Sequence, residues 1–415
     1  MSDFSSYLKK GLMIVFAEKA LLLGLSFFSN IFLARLLGVA EFGGIAFLFS
    51  LFSMFVQISD FGFRNIFVDV YSKGNRSVVA LYFYVRGFLS FLIGLVGLLA
   101  YYCFDLDIGY VVICAILIFY VADVLEAVAI SEMRQSYAAM VRLINGVIMH
   151  LSRIVMVVLD VDPLYLLLTL LCEPFLKFFF LIHWVDLSSP RLSLLEVISL
   201  LKRAFPLFLS MIFLQVFIRS LYFIAQDFST DDAGYVAAVM RLIDPFLMLL
   251  GVLSVVINPI MAKVENFGSF CKIYYSVVFY VGVVFSSIVY LSADFLVDLI
   301  YGDQYAAAAE LLSIVALSLP FLFLGGVSGF WYVRNRVEYM ALIRGGGALV
   351  GTFFGYYFWK EDGIESIAWG WVLSSIFYAF IVDLIVPKGR QLFYIKMAAF
   401  FEIFYMIGRA VREKN

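Results

Sequence analysis

Twelve stretches of this chain are apolar over about the 20 residues that a helix needs to cross a bilayer, and polar residues collect in the short gaps between them. The runs lie at roughly 11–33, 43–63, 79–101, 109–130, 141–159, 163–185, 204–226, 235–260, 273–292, 311–333, 341–359 and 366–386. Each predicts a membrane-spanning helix, because only a helix satisfies its own backbone groups inside hydrocarbon. The expected fold class is therefore an all-α polytopic membrane protein with about 12 transmembrane helices.

The gaps between the runs alternate in charge. With the N-terminus inside, the inner segments carry Lys9, Lys10, Arg64, Lys73, Arg76, Arg86, Arg134, Arg142, Arg191, Lys202, Arg203, Lys263, Lys272, Arg334, Arg336, Arg344, Lys388, Arg390, Lys396, Arg409, Arg412 and Lys414. The opposite loops hold Arg35 and Lys360 but many acids, among them Asp105, Asp107, Asp160, Asp162, Asp231, Asp232 and Asp303. The positive-inside rule then predicts a multi-pass membrane protein with both termini cytoplasmic. Composition agrees, since 64% hydrophobic residues and a mean hydropathy of +1.01 exceed what one soluble core can bury. The net charge of −2 is uninformative, because its two signs are sorted across the membrane. The first apolar run is of span length and lacks a small-residue cleavage site, so it reads as a span and not as a signal peptide. The four cysteines have no metal or redox spacing and read as packing residues.

Residues 186–203, with Pro190, form the longest inner connection in the middle of the chain and separate six spans from six. The expected organisation is an N-terminal lobe at 1–185, a cytoplasmic linker at 186–203, a C-terminal lobe at 204–387 and a tail at 388–415. The tail mixes Phe, Tyr and Met with cations and reads as an amphipathic helix on the inner membrane surface, drawn to anionic lipids.

Ionisable residues inside spans are costly and so mark partners or wet cavities. Twelve fall in or at the ends of spans: Glu18, Lys19, Asp60, Asp123, Glu126, Arg153, Glu173, Lys177, Arg219, Arg241, Asp244 and Asp383. Asp60 and Asp383 lie near inner ends and read as charges snorkelling to the interface. Glu173 with Lys177 and Arg241 with Asp244 are spaced to share a helix face, so each pair either neutralises itself or, beside Pro174 and Pro245, lines a substrate path. Lys19, Arg153 and Arg219 have no opposite charge at helical spacing other than Glu18 beside Lys19, leaving interhelical pairing or an anion path as alternatives. The candidate path cations are Lys19, Arg153, Lys177, Arg219 and Arg241, and the candidate ion-coupling acids are Glu18, Asp123, Glu173 and Asp244. No Walker loop, dinucleotide fingerprint, zinc motif or nucleophile elbow occurs, and the outer loops are too short for a catalytic domain. The chain thus reads as no enzyme, with no cofactor, metal or nucleic acid.

Three stretches resemble one family. Leu36 to Gly44, reading LLGVAEFGG, followed by Asp60, Phe61 and Gly62, is similar to the first hairpin of polysaccharide exporters. Pro206 through Arg219, Gly234, Tyr235 and Arg241 to Pro259 is similar to the opening of their second lobe. Leu299 to Ile314, reading LIYGDQYAAAAELLSI, resembles their YG-x-x-Y-x-x-A-x-x-x-L motif. The resemblance, to Wzx-type flippases of the multidrug/oligosaccharidyl-lipid/polysaccharide superfamily, implies a V of two six-helix lobes. It also implies movement of an undecaprenyl-diphosphate-linked oligosaccharide, such as an O-antigen unit of lipopolysaccharide, to the outer leaflet by alternating access. Expected partners are the lipid-linked oligosaccharide, membrane lipids, and polysaccharide polymerase and chain-length machinery. A multidrug antiporter of the same fold and a polytopic glycosyltransferase or polymerase are the alternatives.

Overall fold

The computed structural model describes residues 2–72, 74, 76, 78–132, 134–184, 194–263, 267–326, 340–358, 363–385 and 389–412. Among them all regular structure is helical. Nine helices of the described residues are long and apolar enough to cross a membrane, and Ala307–Ala316 with Leu319–Gly325, bent by 44°, makes a tenth. Of the remaining apolar runs, 235–260 lies within the helix Thr230–Lys263 and 341–358 within Met340–Phe358, residue 359 being outside the described residues. The chain is a multi-pass membrane protein.

Its contacts divide into two units, Met1–Gln215 and Val216–Asn415. The division falls inside one continuous helix, Leu194–Phe228. Residues 186–193 of the expected linker lie outside the described residues, and from Leu194 the chain is already helical. The early part of this helix packs into unit 1: Leu200 and Ala204 join a buried cluster with Phe63, Phe67 and Tyr82, and Phe208 stacks on Phe61 at 4.2 Å.

Unit 1 is built from α1 (Ser2–Leu37), α2 (Val39–Asp60), α3 (Phe63–Ser72), α4 (Val78–Phe104), α5 (Ile108–Leu117), α6 (Asp123–Ser131), α7 (Gln135–Val158), α8 (Cys172–Leu181) and the start of α9 (Leu194–Phe228). Asp60, Phe61 and Gly62 turn the chain from α2 into α3, with Phe61 at φ 53° closing α2 in the left-handed conformation. A 3-10 turn over Ile118–Ala122 joins α5 to α6, and a longer one over Pro163–Leu171 leads into α8. Pro174 follows closely on that 3-10 stretch, and the Leu170 carbonyl four residues before it, which a proline N–H cannot reach, accepts from the Tyr120 hydroxyl at 3.0 Å.

Unit 2 continues with α10 (Thr230–Lys263), α11 (Phe267–Leu291), α12 (Ala293–Tyr301), α13 (Ala307–Ala316), α14 (Leu319–Gly326), α15 (Met340–Phe358), α16 (Ile364–Ile376), α17 (Val382–Ile385) and α18 (Gly389–Arg412). The LIYGDQY stretch turns α12 into α13. Gly302 takes φ 85°, a conformation that glycine adopts without penalty, and buried Tyr301 and Tyr305 lie 5.1 Å apart on either side of it. The Gly347 and Gly351 ridge lets α15 meet α16 and α17 closely, for a Cβ on Gly351 would lie 2.7 Å from the Cα of Ser374. The tail helix α18 packs along α11, where the Tyr280 hydroxyl donates to the Phe400 carbonyl at 2.8 Å.

Candidate functional site

Six spans of unit 1 each send at least one charged side chain to a common buried cluster. Lys177 lies at its centre: its ammonium is 2.7 Å from Asp123, 2.7 Å from Glu126 and 2.6 Å from Glu173. Helical spacing accounts for these local groupings, since Asp123 and Glu126 share a face of α6, and Glu173 and Lys177 a face of α8. Arg86 bridges Asp60 at 2.7 Å and Asp123 at 2.5 Å and donates its Nε to the Tyr120 carbonyl. Tyr82, one turn before Arg86 on α4, donates to Asp60. Arg142 takes Glu18 in a two-point contact, at 2.5 and 2.7 Å, and Glu126 at 2.9 Å, while Arg64 reaches Glu126 at 2.6 Å. Five carboxylates thus face four cations, leaving one negative charge in excess.

The arrangement decides what each group is free to do. An ammonium has three N–H donors, and those of Lys177 meet three carboxylates, which leaves none for a phosphate. Oxygens of Asp123, Glu126 and Glu173 lie within 4.8 Å of one another, a spacing that suits a metal ion, but the Lys177 ammonium is already bonded to all three. Burial is nearly complete for Glu18, Asp60, Asp123 and Glu126, whereas the Glu173 side chain is 30% exposed.

The candidates scatter differently from the sequence reading. Glu18, Asp123, Glu173 and Lys177 come together, joined by Arg64, Arg86 and Arg142, which the charge pattern had placed on inner segments. Asp60 does not snorkel but is buried under Arg86 and Tyr82, and Asp383 is fully buried against Lys396. Lys19 is exposed, on the side of α1 away from the buried Glu18. Arg153 is buried further along α7, with its Nε bonded to the Thr169 hydroxyl at 2.8 Å and its guanidinium 4.1 Å from the centre of the Phe49 ring. A signal for Arg86 existed in the sequence: it lies inside an apolar run, one turn after Tyr82, and should have been counted among the span charges.

Unit 2 holds a second, smaller group of opposite sign. Arg241 pairs with Asp244 at 3.2 Å across one turn of α10. Arg219 on α9 lies near enough to Arg241 and Asp244 for their charges to act on it. The Nε atoms of both Arg219 and Arg241 are buried and meet no hydrogen-bond acceptor among the described residues, and neither does the Gln226 side-chain oxygen meet a donor. Arg219, Tyr222 and Gln226 recur at three- and four-residue spacing and so share one stripe of α9. Two guanidiniums, one carboxylate and two unpaired Nε–H donors make a net cationic patch, and buried donors of this kind are costly until an acceptor arrives.

The sequence model of the family described as "Polysaccharide biosynthesis protein" matches residues 32–310, more than half of the chain. The chain belongs to this family. A comparison with curated proteins finds no match. Among solved structures it is similar to the lipid II flippase MurJ in an inward closed conformation, with a TM-score of 0.72 at 15% identity, covering 95% of this chain and 92% of that one. A multidrug resistance MATE family transporter of the MOP superfamily, inward-facing, gives a TM-score of 0.67 at 12% identity, covering 90% and 94%. A Vibrio cholerae MATE transporter gives 0.62 at 13% identity over 96% and 99%. The fold is that of these solved flippase and multidrug-transporter structures.

Proposed function

We propose that the protein is a flippase that moves a polyprenyl-diphosphate-linked oligosaccharide, of the undecaprenyl and O-antigen type, from the inner to the outer leaflet of the bacterial inner membrane. The diphosphate and sugars cannot cross hydrocarbon without polar partners. The observation that carries the reading is the cationic patch in unit 2, where Arg219 and Arg241 keep buried donors unspent. A phosphate oxygen would accept from both as charge-assisted bonds, while the polyprenyl chain stays in lipid. Family membership supports a polysaccharide precursor as cargo. Movement follows alternating access, with the N-terminus cytoplasmic, and delivers substrate to a polymerase and its chain-length partner.

The excess carboxylate of unit 1 supplies the coupling site in this reading. Glu173 is the acid that takes and releases a proton or other cation, because its side chain alone among the five acids of the cluster is substantially exposed. The test uses proteoliposomes carrying a fluorescent polyprenyl-diphosphate glycan. Arg219→Gln and Arg241→Gln are expected to lose flipping while remaining inserted and abundant, and Glu173→Gln to flip at a rate indifferent to an imposed pH gradient. Normal flipping by both arginine variants overturns the site. Drug efflux with no glycan flipping by the unaltered protein overturns the substrate and favours the multidrug reading.

A further inference from the structure

The last helix, α18, carries a lysine in the middle of an apolar sequence, and that lysine is fully buried. Lys396 donates to Asp383 at 2.7 Å and to the Ala379 carbonyl at 2.6 Å, and both charged side chains are 0% exposed. Ala379 belongs to a π-helical stretch, Phe377–Ile381, a departure from the α ladder that often marks a functional position. The start of α18 is pressed just as closely onto the final span, since a Cβ on Gly389 would lie 2.5 Å from the Asp383 carbonyl oxygen.

From that point the helix climbs. Tyr280 sits near the middle of the span Gly268–Leu291, and its hydroxyl holds the Phe400 carbonyl, with the Phe279 and Phe400 rings 4.5 Å apart. At ~1.5 Å per residue the stretch from Gly389 to Phe400 covers about 16 Å, roughly half of the hydrocarbon thickness. The same helix continues unbroken to Arg412, about as far again. Its buried face carries Leu392, Lys396 and Ala399. The other side presents Tyr394, Met397 and Phe401, exposed by 68%, 40% and 73%, a face suited to lipid chains and not to water. From Gln391 to Gly408 the charged residues are Lys396, which is paired, and Glu402.

We propose that Gly389–Arg412 is a further membrane-crossing helix, packed along α11 and latched to the final span by the Lys396–Asp383 pair, so that Arg412 lies on the opposite membrane face from Gly389. The latch lets a lysine enter the membrane because its partner and the π-stretch carbonyl are waiting there. The cations Arg409, Arg412 and Lys414 pull the other way and would keep the end of the helix on the cytoplasmic side if it lay on the surface.

The test compares the full chain carrying a single cysteine after Asn415 with one carrying a cysteine at Lys388, both with the four native cysteines replaced. A membrane-impermeant maleimide is applied to intact and to permeabilised cells. Labelling of the two positions from opposite sides is expected, and labelling from the same side overturns the proposal. Lys396→Met is expected to move a measurable fraction of the end cysteine to the side of Lys388, and the neutral pair Lys396→Met with Asp383→Asn to restore it. Equal labelling of the single and double variants overturns the latch.

Discussion

Lys177 offers the sharpest test of the buried cluster. Replacing it by Met keeps the length and apolar stem of the side chain but removes the one group that bonds Asp123, Glu126 and Glu173 together. The cluster then passes from five carboxylates and four cations to five and three, and its net charge from −1 to −2. Breaking a buried ion pair by removing one partner costs about 3–5 kcal/mol, because the remaining charge stays uncompensated. For a unit of this size, each kcal/mol corresponds to roughly 2–4 °C in melting temperature, so a fall of about 6–20 °C is expected. Thermal melting of the purified protein in detergent, followed by tryptophan fluorescence, measures it. The sign of the pH effect is also fixed. Protonating one of the three stranded carboxylates relieves their repulsion, so the deficit of the variant shrinks as the pH falls. Adding Glu173→Gln to Lys177→Met removes one of those charges outright and is expected to recover part of the loss, a coupling that adjacent sites show and independent ones do not. A Lys177→Met protein as stable as the original, or one whose deficit ignores both pH and Glu173→Gln, would refute the reasoning.

Other expected outcomes follow from single contacts. Gly351→Ala forces a methyl to within 2.7 Å of the Ser374 backbone, and a loss of about 1–3 kcal/mol should appear as a lower melting temperature. Lys19→Ala, at an exposed position, should leave glycan flipping and melting within error of the original protein, and a loss of flipping would return Lys19 to the substrate path. Arg86→Met should destabilise unit 1 as strongly as Lys177→Met, since it strands both Asp60 and Asp123, and near-normal melting would show that the two acids find other partners.

The spans could be read along the chain because the bilayer imposes a one-dimensional rule: each crossing must be a continuous apolar helix of set length. The described parts of the runs from 11–33 to 366–386 are therefore mostly helical, with short turns such as Phe61–Gly62 and Leu317–Ser318. The LIYGDQY motif was legible as local sequence with a local consequence. The Arg241–Asp244 and Glu173–Lys177 pairs could be read too, being one helical turn apart.

What could not be read is which charge meets which across the bundle. Arg142 finds Glu18 124 residues away, Lys177 finds Asp123 54 residues away, and Arg86 finds Asp60 26 residues away. No periodicity links such residues, because the partner is chosen by how helices pack and rotate against one another. The same holds for Asp383, whose sequence position suggested an interfacial charge until the tail helix brought Lys396 to it. Sequence alone determined that the chain crosses the membrane many times and carries costly charges within it, since hydrophobicity and charge belong to residues singly. Only the tertiary structure decided that most of those charges in unit 1 neutralise one another while Arg219 and Arg241 keep donors to spare, because pairing is a property of distances between helices.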